Sequence, residues 1–121
     1  MASLIDRMIA LVRPGISAKV FYSGKTITKV AWWISPCPYP ELYWGRLRLF
    51  SDGTADAAFD EADVYGFDDS KYAGYFLSED EYTPLESLDA QYAEHLGVRV
   101  SELTTPTWSE TPTRFHYLGT Y

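Results

Sequence analysis

The sequence has little of several residue types, and each shortage excludes a class of structure. Its single cysteine, Cys37, rules out an intramolecular disulfide and favours a reducing compartment. It contains no asparagine, and so has no acceptor for N-glycosylation. No apolar run approaches the roughly 20 residues that span a bilayer. Asp6 and Arg7 interrupt the first apolar run, which is not typical of a signal peptide, so we expect a soluble cytoplasmic protein without membrane contact.

Motifs that indicate an enzyme are missing as well. The chain has no phosphate-binding glycine loop, no Gly-x-Ser-x-Gly, no His-Glu-x-x-His and no paired Cys-x-x-Cys. His95 lies near the end of a predicted helix, where the dipole favours an imidazolium, and His116 has no partner that the sequence identifies. Cys37 lies between prolines without a neighbouring base that would make it a thiolate. We therefore assign no residue to catalysis, to a metal or to a cofactor, and expect a non-catalytic protein rather than an enzyme.

The composition is sufficient for a folded core. Of the 121 residues, 46% are hydrophobic and 17% aromatic, which allows residues 1–121 to form a single compact domain. The order of the patterns predicts an α+β fold. It comprises an N-terminal helix, an antiparallel sheet of four or five strands, and one or two C-terminal helices packed on the sheet.

The first third of the chain predicts a helix and then a hairpin. Residues 3–13 form an amphipathic pattern that ends at Pro14-Gly15. Residues 19–22 and 25–34 predict two strands around a glycine turn. Because residues 30–34 are apolar on both faces, we expect the second strand to be central and covered from both sides.

The next hairpin defines its own register. A three-residue loop with Gly53 in the left-handed conformation pairs Leu49 with Ala55 and Arg48 with Asp56. A two-residue loop would instead place Leu49 opposite Asp56. The first register separates apolar from charged side chains, and we therefore predict it. It places Leu47, Leu49, Ala55, Ala57 and Phe59 on the core face, and Arg46, Arg48 and Asp56 on the outward face.

The remaining pattern predicts two more strands and two helices. Residues 64–67 and 114–118 predict short strands. A capped helix is predicted over residues 68–77. A second helix is predicted from Thr83, because Thr-Pro-Leu-Glu combines an N-cap, a proline at the first helical position and a capping glutamate, and Gly97 ends it.

Charge is the most uneven property of the chain. Thirteen carboxylates and one lysine lie between Asp52 and Glu94, a local charge of −12, whereas the first 51 residues carry +5 and residues 95–121 carry none. Such asymmetry attracts basic surfaces and repels phosphate backbones. Pairing, turns and caps account for part of the block. The carboxylates predicted to form a binding surface are Asp60, Glu61, Asp63, Asp68, Asp69, Glu79, Asp80 and Glu81.

These observations favour a small non-catalytic interaction or regulatory module that presents an acidic surface to a basic protein. A pI near 4.6 argues against nucleic-acid binding. Asp52, Asp56 and Asp60 are spaced about 13 Å apart along a strand, too far to share one metal ion. Two alternatives stay open: a small enzyme or ligand-binding protein with a carboxylate and histidine pocket, and an inhibitor that mimics a nucleic acid.

The tryptophans suggest one further contact. Trp32 and Trp33 are adjacent in a predicted strand and therefore point to opposite faces of the sheet. An exposed tryptophan would mark a partner surface, and a homodimer through the sheet is the corresponding hypothesis.

Overall fold

The computed structural model describes residues 16–35, 42–88 and 103–121, which form an α+β fold. The helix predicted at residues 3–13 lies outside the described residues, as do Cys37 and His95. None of the helices in the described ranges is long and apolar enough to cross a bilayer.

The strands of the described chain form one mixed sheet in the order β5-β1-β2-β3-β4-β6. All neighbours are antiparallel except β4 and β6, which are parallel. Two helices accompany the sheet in these ranges. The elements are α1 (Ala18–Tyr22), β1 (Ile27–Ile34), β2 (Trp44–Phe50), β3 (Ala55–Ala58), β4 (Asp63–Phe67), α2 (Ser70–Glu79), β5 (Thr83–Pro84), a 3-10 turn (Leu85–Ser87) and β6 (Arg114–Gly119).

The predicted register of the second hairpin is confirmed. Arg48 pairs with Asp56 and Leu49 with Ala55, and Gly53 has a φ of 91°. The strand predicted over residues 64–67 and the helix predicted over residues 68–77 are also confirmed, as β4 and α2. The Asp69 carboxylate caps α2 by accepting a hydrogen bond from the Lys71 amide.

The predicted antiparallel sheet of four or five strands is only roughly matched, because the sheet has six strands and is mixed. The strand predicted at 114–118 is present as β6, and it returns beside β4 in the parallel direction. Parallel pairing requires a long connection, and nothing in the local pattern of a strand names a partner so far away in the chain.

The strand predicted at residues 19–22 is wrong, because these residues lie in the short helix α1. Ser17 caps it by accepting a hydrogen bond from the Val20 amide, and Gly24 follows it with a φ of 71°. Adjacent side chains of a strand point to opposite faces. One helical turn instead lets Phe21 and Tyr22 both reach the sheet, where each ring packs against Phe50.

Strand β1 is less buried than its apolar sequence predicts. Residues 27–30 are exposed, and β5 covers only Trp33 and Ile34 on its outer side. The helix predicted from Thr83 is also wrong over the described residues. Thr83 and Pro84 form β5, and the following 3-10 turn ends in extended backbone at Leu88. The residue before a proline is disfavoured in the helical region, which suits Thr83 to the sheet edge.

One face of the sheet packs against α2 and holds the main core. We call it the helix face. Phe76 and Leu77 of α2 are fully buried there, and Phe76 contacts the rings of Phe67 and Tyr65. The core side chains predicted for the hairpin lie on this face. The cluster is Leu47, Ala55, Ala57, Tyr65, Phe67, Ala73, Phe76, Leu77 and Leu118, with Leu49 and Phe59 packed against it.

The opposite face carries Arg46, Arg48 and Asp56, and we call it the arginine face. These side chains were predicted to face outward, but their exposed fractions are only 4%, 2% and 0%. Helix α1 and residues 108–112 cover this face. The hairpin pattern identifies which side chains share a face but gives no information about a cover that comes from distant parts of the chain.

Candidate functional site

Two of the predicted acidic loops meet at one end of the sheet. The rings of Phe59 and Tyr82 lie 4.9 Å apart between centroids. Because Phe59 immediately precedes Asp60 and Tyr82 immediately follows Glu81, this contact brings the start of the first loop close to the end of the second loop. We call these two loops together the acidic end. It contains Asp60, Glu61, Asp63, Glu79, Asp80 and Glu81.

The first loop of the acidic end is ordered by its own carboxylates. Asp60 Oδ1 accepts hydrogen bonds from the amides of Ala62 at 2.8 Å and of Asp63 at 2.9 Å. Glu61 Oε2 accepts one from the Ser109 amide at 3.2 Å. Both side chains remain exposed. They therefore hold the loop in shape while presenting negative charge to solvent.

Asp63 has a cation close to it. Arg114 donates two hydrogen bonds to its carboxylate, both at 2.7 Å, and His116 Nε2 lies 3.1 Å from Oδ1. The hydrogen bonds from Arg114 are the main reason that the pKa of Asp63 falls from 3.8 to about 2. The same pairing raises the pKa of Arg114. Asp63 is thus ionised and largely neutralised by its partner.

The second loop of the acidic end follows the C-terminus of α2. The Tyr121 hydroxyl donates a hydrogen bond to Glu79. Burial, and then repulsion by Glu81, raises the pKa of Asp80. Glu81 has a φ of 65°, the only non-glycine residue in the described ranges with a left-handed backbone. Three consecutive acids at a helix C-terminus are disfavoured by the dipole, so local helix stability does not account for them.

Asp68 and Asp69 lie at the other end of β4 from Asp63. They follow the C-terminal end of β4, whereas Asp63 begins it, and five residues of strand span about 13 Å at the lower bound. Asp68 accepts a hydrogen bond from the Tyr117 hydroxyl, and Asp69 caps α2. The structure therefore separates Asp68 and Asp69 from Asp63 by the length of β4.

The acidic end also brings together residue types used in acid–base chemistry. His116 contacts Asp63, and its ring stacks on Tyr65 at 5.0 Å. The Asp63 carboxylate is at the same time held by Arg114 at two positions. Within the described ranges, no group of three or more His, Cys, Asp or Glu side chains could hold a metal ion. The cluster can therefore orient an imidazole, but Asp63 is committed to a structural ion pair.

The arginine face contains a buried ionic network that the sequence indicated only in part. Arg48 Nη2 lies 2.6 Å from Asp56 Oδ2, and its Nε lies 3.0 Å from Oδ1. The Tyr22 hydroxyl donates to Asp56 at 2.7 Å. Burial would lower the pKa of Arg48, but the hydrogen bond and charge of Asp56 raise it. Burial, reinforced by Asp56, raises the pKa of Tyr22, so the phenol stays protonated.

A cleft of about 380 Å³ opens beside this network. Tyr22, Arg48 and Phe50 lie at its base. Lys25 Nζ lies 3.7 Å from the centroid of the Phe21 ring, where a cation–π contact holds it. A smaller cleft of about 240 Å³ lies on the helix face beside Trp33. The first cleft is lined by Ala18, Lys19, Tyr22, Lys25, Ile27, Arg48, Phe50, Glu110, Thr111 and Pro112.

Comparison of the chain with known protein families, with curated proteins and with solved structures finds no match.

Proposed function

We propose that this protein is a small non-catalytic interaction or regulatory module whose acidic end binds a basic surface of another protein. The observation that carries the proposal is the contact between Phe59 and Tyr82, which brings together two acidic loops that are 16 residues or more apart in the chain. Five of the six carboxylates there are exposed. Arg114 pairs with one of them, Asp63.

The local structure of the acidic end supports a binding role rather than a purely structural one. Asp60 and Asp63 hold the first loop and its arginine in place, as described above. Glu61, Asp80 and Glu81 contribute charge at exposed positions, and Glu61 also accepts a hydrogen bond from the Ser109 amide. A charged surface on a fixed backbone attracts an opposite surface and raises the rate of encounter, and this attraction weakens as salt is added.

The test uses a variant that removes charge but keeps the loop. Glu61→Gln, Asp80→Asn and Glu81→Gln are combined, and Asp60, Asp63 and Glu79 are retained for their hydrogen bonds. The amide oxygen of a glutamine at position 61 can still accept the hydrogen bond from the Ser109 amide. The control, Asp68→Asn with Glu86→Gln and Glu110→Gln, removes the same charge outside the acidic end.

Binding of both variants to an arginine- and lysine-rich peptide is measured by calorimetry at 50 and 300 mM salt. At low salt the acidic-end variant is expected to bind about tenfold more weakly than the original protein, since three surface charges contribute a few tenths to 1 kcal/mol each. The control is expected to lose much less affinity. Equal losses in the two variants, or affinity independent of salt, would refute the proposal.

A further inference from the structure

Arg46 and Arg48 lie two residues apart on β2 and point to the same face, but only one of them is satisfied. Arg48 Nη1 donates to the Glu110 carbonyl at 3.1 Å, and Arg46 Nη1 donates to the adjacent Ser109 carbonyl at 3.2 Å. The Arg48 Nε and Nη2 atoms hold Asp56. The Arg46 Nε and Nη2 atoms are buried and have no hydrogen-bond partner among the described residues.

The register of the hairpin explains the difference. Asp56 of β3 lies directly opposite Arg48, and Ala58 lies directly opposite Arg46. The position that supplies a carboxylate to one arginine therefore supplies only a methyl group to the other. The two donors of Arg46 form the planar fork that binds carboxylates at two points, as the same atoms of Arg48 do.

A buried guanidinium with unsatisfied donors lowers the stability of the folded protein. Arg46 has an exposed fraction of 4%. Burial, and then repulsion by Arg48, lowers its pKa, although the group stays charged. Buried charges without a partner are rare in proteins because the lost hydration is not replaced. A carboxylate ligand would complete the hydrogen bonding of such an arginine.

Three tryptophans surround the arginine. The Trp108 ring centroid lies 5.6 Å from Arg46 Cζ. Trp32 packs edge-on against Trp108 at 5.1 Å and against Trp44 at 6.1 Å. All three are partly exposed, so their indole faces offer an apolar surface beside the positive charge.

We propose that Arg46 binds the carboxylate of a small organic acid, whose apolar part lies against Trp32 and Trp108. The ligand has to be anionic and planar at one end because the fork matches a carboxylate, and apolar at the other because indole rings flank the fork. Since the Arg46 donors are covered in this structure, Trp108 moves aside when the ligand enters. This site lies on the arginine face and does not depend on the function proposed for the acidic end, although Ser109 contacts both Arg46 and Glu61.

The probe is cyclohexanecarboxylate, which does not absorb at tryptophan wavelengths. Its neutral amide, cyclohexanecarboxamide, is the matched ligand control, and sodium chloride keeps the ionic strength constant. Tryptophan fluorescence and the melting temperature are recorded during titration. We expect the carboxylate to change the fluorescence and to raise the melting temperature with the logarithm of its concentration, because it binds only the folded state. We expect no such response to the amide.

Variants locate the site. Arg46→Met is expected to fold, since a buried charge is replaced by an apolar chain of similar length, and to bind at least about tenfold more weakly. Arg46→Lys keeps the charge but loses the fork and is expected to bind weakly too. Lys19→Met removes a cation from the neighbouring cleft and is expected to bind like the original protein.

Three outcomes would overturn the assignment. The first is no response to the carboxylate in the original protein. The second is a response of Arg46→Lys equal to that of the original protein. This variant alone would test the site if Arg46→Met did not fold. The third is a response lost in Lys19→Met but kept in the Arg46 variants, which would place the ligand in the neighbouring cleft.

Discussion

Replacement of Asp56 by asparagine is expected to destabilise the protein more than any other single change to the arginine face. Asp56 is fully buried and receives hydrogen bonds from Arg48 and from the Tyr22 hydroxyl. Asparagine has nearly the same shape, so no cavity is created. The change removes the negative charge and leaves Arg48 buried without a counter-charge.

The magnitude follows from the cost of breaking a buried ion pair. Removing one partner of such a pair costs about 3–5 kcal/mol, because the remaining charge has lost its hydration without compensation. Domains of this size have unfolding free energies of about 5–15 kcal/mol. Asp56→Asn is therefore expected to remove a large part of the stability. With a urea dependence of about 2 kcal/mol per molar, the unfolding midpoint falls by about 2 M.

Equilibrium urea unfolding monitored by tryptophan fluorescence measures this loss. Tyr22→Phe is the first control and should lower the free energy of unfolding by only about 1–3 kcal/mol. It removes the hydroxyl that donates to Asp56 and accepts a longer hydrogen bond from Arg48, and it leaves the ion pair. The second control, Arg48→Met with Asp56→Asn, should be more stable than Asp56→Asn alone because no unpaired charge is left at this position. An Asp56→Asn midpoint within about 0.5 M of the original, or a double variant less stable than the single, would refute this account.

Two further predictions concern packing and pH. Gly66→Ala should lower the free energy of unfolding by about 1–3 kcal/mol, because a Cβ there would lie 2.6 Å from Phe115 Cζ. Gly74→Ala within α2 should instead stabilise the protein. Thermal unfolding compares the two variants, and equal effects would contradict the prediction. Folding lowers the pKa of Asp63 from 3.8 to about 2. The stability that the ionised Asp63 contributes is therefore fully present above pH 3.8 and is lost as the pH falls from about 4 to about 2. Allowing for solvent screening, the free energy of unfolding should fall by about 1 kcal/mol over this pH range. The fall should be absent when the Asp63→Asn protein is unfolded over the same range.

Local patterns predicted those parts of the fold that local chemistry determines. The hairpin register followed from the turn at Gly53 and from the pairing of Arg48 with Asp56, both of which depend on residues within one short segment. The helix α2 followed from its N-cap. Where distant segments compete for the same residues, local patterns failed. Thr83 carries a helix-start signal, yet it pairs with Ile34 at the sheet edge.

The sequence predicted the residue types of the candidate sites but not which of them lie together. The acidic residue types of loops 60–63 and 79–81 were evident from charge alone, but their adjacency depends on the contact between Phe59 and Tyr82. The partner of Asp63 is Arg114, which is 51 positions away in the chain. No pattern within either loop could have predicted that pairing.

By itself, the sequence determined the α+β class, the hairpin and its register, and the concentration of acidic charge, because propensity, turn geometry and side-chain alternation act over a few residues. Only the tertiary structure decided that the arginine face is covered. The carbonyls of Ser109 and Glu110 accept hydrogen bonds from Arg46 and Arg48 across more than sixty residues of chain. Burial of that kind depends on which distant segments pack together. It places Arg48 in a buried ion pair with Asp56. It leaves two donors of Arg46 without a partner among the described residues.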